Sequence, residues 1–157
     1  MINLDKLKAV VEDLLKEIDT DLQGIKEYIR TAEGLLEKQE NKVRETATTL
    51  LPVMRKIQSN NFNFKTQDEH WVSRTGPILK YDDSENLLYI FSIKEEGPMI
   101  FDIETKKEAL ISYDKLLKEV EFNTVMESLL SVVSYTERLQ KKYQVLIDKL
   151  ETELVKY

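Results

Sequence analysis

The stretch "KYDDSENLLYIFSIKEEGPMIFDIE", Lys80–Glu104, decides the fold, because it interrupts a chain otherwise written in charged heptads. In the run Leu87–Ile93 both alternation faces are apolar, Leu87, Tyr89, Phe91 and Ile93 against Leu88 and Ile90. A strand apolar on both faces belongs at the centre of a sheet and is covered on two sides. In the next run Met99, Phe101 and Ile103 face one way while Asp102 and Glu104 face the other, the pattern of a half-covered strand. Upstream, "HWVSRT" from His70 and "PILKY" from Pro77 carry the same period, and the separators "TGP", "DDSEN" and "EEGP" hold turn residues. Residues 61–104 therefore read as two hairpins forming a small four-stranded antiparallel sheet, entered through the loop "SNNFNFKTQD".

On either side the period becomes helical. Before the sheet, a stripe falls at Leu4, Leu7, Val11, Leu14 and Ile18, and resumes at Leu22, Ile25, Ile29, Ala32, Leu36, Gln39, Val43, Thr46, Leu50, Val53 and Ile57. The step from Ile18 to Leu22 is four residues where three were due, a stutter that locally unwinds a left-handed supercoil. "TDLQ" at Thr20–Gln23 is a capping-box pattern that would let a helix restart there. Pro52 removes the bond its N–H would give Thr48, which predicts a kink or an end. After the sheet, "TKKE" at Thr105–Glu108 predicts a short helix over 106–119; either it covers the sheet, with Ala109, Leu110, Tyr113, Leu116 and Leu117 inward, or the open sheet face is an oligomer or partner interface. "TVME" at Thr124–Glu127 opens a last helix with the stripe Phe122, Val125, Leu129, Val132, Thr136, Leu139, Tyr143, Leu146, Leu150 and Tyr157.

The expected fold is α+β and mostly α. It is a long antiparallel coiled-coil helical hairpin with the sheet inserted between the helices, in segments 1–60, 61–104 and 105–157 of one structural unit. A single apolar seam is too narrow to hold a lone helix in water, so the first and last helices should pair with each other or self-associate through the same seams.

The charge is unevenly distributed. Residues 1–67 hold 11 acidic and 11 basic side chains, and residues 105–157 hold nine of each. Residues 68–104 hold nine acidic side chains against Arg74, Lys80 and Lys94, an excess equal to the chain's formal charge of −6. A one-signed patch steers association with an oppositely charged partner. The expected binding residues are accordingly Asp82, Asp83, Glu85, Tyr89, Phe91, Glu95, Glu96 and Asp102, and the partner is a basic or nucleic-acid-binding protein.

Chemistry finds little purchase. There is no cysteine, hence no disulfide and no thiolate nucleophile. His70 is the only histidine, without a visible partner to orient it as a base. "DDSEN" starts like a calcium loop with oxygens at Asp82, Ser84 and Asn86, but Leu87 stands where the turn glycine belongs and Ile93 where the closing glutamate belongs. Basic residues alternate with acids along helix faces, as on solvated coiled-coil flanks. The expectations are no enzyme, no cofactor, no metal and no direct nucleic acid. The longest apolar run, "LLYIF", is far short of the ~20 residues that span a bilayer, and a cytoplasmic location follows.

Helix, two hairpins, helix, with arms of similar length, resembles in outline the alpha-type subunit of prefoldin. That resemblance implies hairpins joined in a common barrel and coiled-coil tips that hold unfolded clients. Three function classes follow: an inhibitor or adaptor using the acidic insert, a holdase chaperone, and a structural or self-assembling component such as a virion or scaffold part. The small size and charged helices suit a phage or mobile-element accessory protein.

Overall fold

The computed structural model describes residues 3–66 and 68–157. The chain divides into two compact units, one ending at Gln39 and the other Glu40–Tyr157. Helix α1 (Leu4–Ser59) contributes to both. It is followed by β1 (Phe64–Lys65), β2 (Val72–Ser73), β3 (Ile78–Asp82), β4 (Leu87–Ser92), β5 (Gly97–Asp102) and β6 (Glu108–Leu110). Three further helices close the chain, α2 (Tyr113–Glu119), α3 (Phe122–Leu130) and α4 (Tyr135–Val155), with a 3-10 turn at Ser131–Ser134 between the last two. Among the described residues no helix is long and apolar enough to cross a membrane.

The first unit is a single helix. Asn3 opens it, its Oδ1 accepting from the Asp5 N–H at 3.0 Å. No restart occurs at "TDLQ": the Thr20 hydroxyl donates to the Lys16 carbonyl, 3.2 Å away, and a side chain bonded back one turn is not available to cap the next.

In the second unit the sheet order is β3-β4-β5-β6, every neighbour antiparallel. This is an open four-stranded meander with no closed barrel. The sheet is therefore the predicted size but differs in membership. "HWVSRT" pairs instead with Phe64–Lys65 in a separate two-stranded ribbon, within a segment read as loop. The fourth strand is β6, and residues 106–110, expected to be helical, form a turn and this strand. Asp102 decides it: its Oδ1 accepts from the N–H groups of Glu104 and Thr105, and Lys106 adopts φ 60°, so the "TKKE" segment folds as a hairpin turn. Ala109 and Leu110 consequently lie exposed, while Leu116 is buried and Tyr113 and Leu117 pack partly buried beside it. The α2 cap is Ser112, whose side chain accepts from the Lys115 N–H.

β4 is central and buried on both faces. Tyr89, Phe91 and Ile93 join Leu79 in the larger cluster with Val43, Ala47, Leu50, Leu51, Met54 and Ile57 of α1, Leu116 and Val120, and Val125 and Leu129 of α3. Leu88 and Ile90 form a second cluster with Ile78 and Met99, closed by Trp71, Tyr81, Phe101 and Ile103. The buried stripe of α1 here runs 43, 47, 50, 54, 57. Ala47 and Met54 take the places expected for Thr46 and Val53, a face turned by one residue toward the sheet. Pro52 does not end α1, since it and Thr48 lie on the exposed face, where water satisfies the carbonyl left without its N–H partner.

The last helix is interrupted where it was read as continuous. The Ser131 and Ser134 hydroxyls donate to the Ser128 and Ser131 carbonyls, and Arg138 donates to the Ser131 carbonyl at 2.8 Å. These bonds and the β-branched pair Val132–Val133 favour the tighter 3-10 geometry. The arms are accordingly unequal, 56 residues in α1 and 21 in α4.

Gly76 is the glycine this fold requires, because a Cβ there would lie 1.8 Å from the Phe91 carbonyl oxygen. Gly34 has nothing within 4 Å of a Cβ. Gly76→Ala is expected to cost about 3 kcal/mol, whereas Gly34→Ala is expected to stabilise its helix by roughly 1 kcal/mol. Urea unfolding followed by Trp71 fluorescence for the first, and helical circular dichroism on heating for the second, check the two signs.

Candidate interaction surface

The acidic residues do not form one patch. Antiparallel order places the β3–β4 and β5–β6 turns at one end of the sheet and the β4–β5 turn at the other. Asp82, Asp83, Glu85 and Asp102 share the first end, where Asp82 and Asp102 both pair with Leu87, and Lys106 and Lys107 stand in the same cluster of turns. Glu95 and Glu96 lie at the opposite end, and the Glu96 carboxylate is already occupied by Arg55 of α1. Tyr89 and Phe91, named as binding residues, are each 2% exposed; they are core, and no partner touches them while the sheet stays closed.

The turn geometry explains the acids at the first end. Asp82 Oδ1 accepts from the Ser84 N–H and hydroxyl, and Asn86 adopts φ 58°. The hydroxyl bond, with smaller backbone help, lowers the Asp82 pKa. This carboxylate is engaged in holding the turn, as the Asp102 carboxylate is in its own. Among the described residues no group of three or more His, Asp or Glu side chains is placed to hold a metal. His70 is exposed and packs edge-on against Trp71 at 4.8 Å between ring centres.

The larger unsatisfied surface is helical. Leu4, Leu7, Val11, Leu14, Ile18, Leu22, Ile25, Ile29 and Leu36 are between 43 and 63% exposed. An apolar stripe of this length exceeds ordinary surface scatter. The flanks widen it, since Val10, Leu15, Tyr28 and Leu35 are also exposed.

The second unit carries a smaller surface of the same kind. Ile57 and Phe62 line an open groove of about 400 Å³ with Tyr135, Leu139 and Tyr143 of α4, and the exposed Leu146, Ile147, Leu150 and Leu154 continue the helix beyond it. The α4 seam was legible from its period. Phe62 was not, because a lone aromatic in a polar loop carries no periodic signal. Both seams stand open.

Beside the groove, Lys142 of α4 holds Glu69 of the β1–β2 turn at 2.9 Å. The hydrogen bond from Lys142 and then its charge lower the Glu69 pKa, and the same bond raises that of Lys142. A carboxyl depressed on folding stabilises fully above its unfolded pKa and loses that contribution as pH falls through the folded one. The urea midpoint of Glu69→Gln is therefore expected to lie slightly below wild type at neutral pH and to converge with it between about pH 5 and pH 3. A gap independent of pH would show the pair contributes nothing. Compared with known proteins, the chain matches no family model, no curated protein and no solved structure.

Proposed function

We propose that this chain is a non-enzymatic interaction protein of the self-assembling, structural class. It acts by burying the free seam of α1 against a helix of another molecule and presents the sheet unit as its cargo. The observation that carries this is the run of nine seam residues from Leu4 to Leu36 left about half exposed, in a chain whose second unit has a complete core of its own. Evolutionarily neutral surface is mostly charged or polar; a 3-4 apolar repeat sustained over this length is the pattern of coiled-coil partners. A cytoplasmic location belongs to the same proposal, in keeping with a chain without cysteine.

An adaptor role is supported by a separate observation, the gathering of Asp82, Asp83, Glu85 and Asp102 at one sheet end. It takes a basic protein as partner, bound electrostatically and lost at high salt. Replacing Asp83 and Glu85 by Asn and Gln spares the turn-holding carboxylates and is expected to abolish salt-sensitive capture of such a protein. Capture unchanged by both salt and substitution would remove this role. The holdase class has less support, since the sheet is open and the two arms are unequal.

Leu14→Glu with Ile18→Glu tests the main proposal by placing four charges per pair of seams in the contact. The wild-type chain is expected to sediment above its 18.4 kDa monomer mass, alone or with a captured helical protein. The double variant is expected to weaken that association by at least about a hundredfold, since each lost apolar burial is worth about 2 kcal/mol. Trp71 fluorescence should stay native. Unchanged sedimentation and unchanged captured proteins would show that the seam is not the working surface.

A further inference from the structure

The free seam specifies its own partner. Placing Leu4, Val11 and Ile18 at heptad position a and Leu7 and Leu14 at d, the stutter resets the register so that Leu22, Ile29 and Leu36 are a, and Ile25, Ala32 and Gln39 are d. The seam thus has two regular halves, 4–18 and 22–39, meeting at one irregular step. A partner helix that is regular throughout would lose registry at that step. A partner with its own stutter opposite this one would not, and a second copy of the chain supplies that in two arrangements: parallel in register, or antiparallel and centred on the stutter.

Side-chain matching separates the two. In the parallel arrangement Ala32 faces Ala32 and Gln39 faces Gln39, leaving one underfilled layer and one polar layer. At the flanks, positions g and e meet across the pair, so Leu35 would face Glu40 and Tyr28 Glu33, while Val10 would face Leu15 and Asp21 Lys26. In the antiparallel arrangement, residues whose numbers sum to 43 share a layer. Ala32 then meets Val11 and Gln39 meets Leu4, while Leu14 pairs with Ile29, Ile18 with Ile25, Leu7 with Leu36 and, at the centre, Leu22 with Asp21. At the flanks g now meets g and e meets e: Val10 faces Leu35 and Lys8 faces Glu33, while Leu15 meets Lys26 and Glu17 meets Tyr28. Glycines stay outside, with Gly24 at c and Gly34 at f.

We propose that residues 4–39 of α1 form an antiparallel two-fold pair with the same segment of a second copy, with Asp21 and Leu22 at the axis. This rests on the reading of the seam as an intermolecular contact, and it names the partner, the direction and the register. The overlap uses the whole free seam. It ends at Gln39, the last residue before the second unit begins at Glu40.

The absence of cysteine makes the test direct. Val11→Cys and Ala32→Cys are near-isosteric changes made in separate full-length chains, one carrying a mass tag, and oxidised alone and after equal mixing. Each residue lies ~32 Å along the axis from its own copy in the antiparallel pair, far beyond the reach of a disulfide. The expected result is no link in either protein alone and a mixed disulfide in the combination, trapping about half of the dimers. Links in each protein alone would establish the parallel pair and overturn this inference while leaving the interaction reading standing. A dimer by sedimentation without any link, as when α1 docks on the α4 seam of its copy, overturns it too, and so does a monomer. In the last case the seam variant above decides the interaction reading independently. Charge reversal gives a second readout. Lys8→Glu and Glu33→Lys should each weaken dimerisation severalfold and together restore it, which only direct Lys8–Glu33 apposition produces.

Discussion

Burial of β4 on both faces is the constraint on which the second unit depends. A strand carrying Tyr89 and Phe91 on one side and Leu88 and Ile90 on the other cannot occupy a sheet edge, so β3 and β5 must flank it. It cannot face water on either side, so two covers are needed. The last turns of α1, with α2 and α3, supply one. The ribbon β1–β2 brings Trp71 against Tyr81, 4.9 Å between ring centres, to help supply the other. Local bonds fix these covers: Ser128 donates to the Leu79 carbonyl at 2.9 Å, and Gln58 donates to the Arg74 carbonyl at 2.8 Å. Fully burying an aromatic or large aliphatic side chain is worth about 1.5–3 kcal/mol. Exposing Tyr89 and Phe91 for recognition would therefore forfeit a large part of the roughly 5–15 kcal/mol that holds a domain together.

What the sequence revealed follows from how each signal is encoded. Alternation with two apolar faces is unambiguous, and β4, β5 and their common turn were legible from it. Capping-box patterns were not equivalent to caps. Thr20 bonds back into its own helix, and Thr105 sits in a turn organised by the Asp102 carboxylate, so the same four-letter pattern served two non-capping roles. β1 and β6 escaped because strands of two or three residues show no period, and "HWVSRT", read as a strand, was given to the wrong sheet for want of its partner β1. Ala109 and Leu110 were placed on a helix that in fact begins only at Tyr113. The acidic excess was visible as a sum, but its division between two sheet ends depends on strand order, which the composition of residues 68–104 does not contain.

Helix α1 carries one apolar stripe in two environments, buried from Val43 onward and exposed before it. From Val43 onward the inward residues step 4-3-4-3 and include Ala47 and Met54, which let the helix lie close on the sheet. Before Gln39 the stripe steps 3-4 through aliphatic residues and carries further apolar side chains on its flanks. Both segments have a helical period, so the sequence read them as one continuous seam. Only burial separates them, and the inward face departs from the stripe between Val43 and Ala47.

That separation bears on what the exposed half is for. In a chain short of core, open aliphatic residues would signal a fold still incomplete. Here the second unit closes its core with residues 43–132 and needs nothing from the first. A lone helix of more than thirty residues gains little from its own hydrogen bonds in water, and its half-exposed leucines and isoleucines add only solvation cost. Selection for stability would replace them with Glu and Lys at no loss to the second unit. Their regular spacing and their reset at a single step are constraints that an unpartnered helix does not impose, and they are the observations on which the proposed helix–helix contact rests.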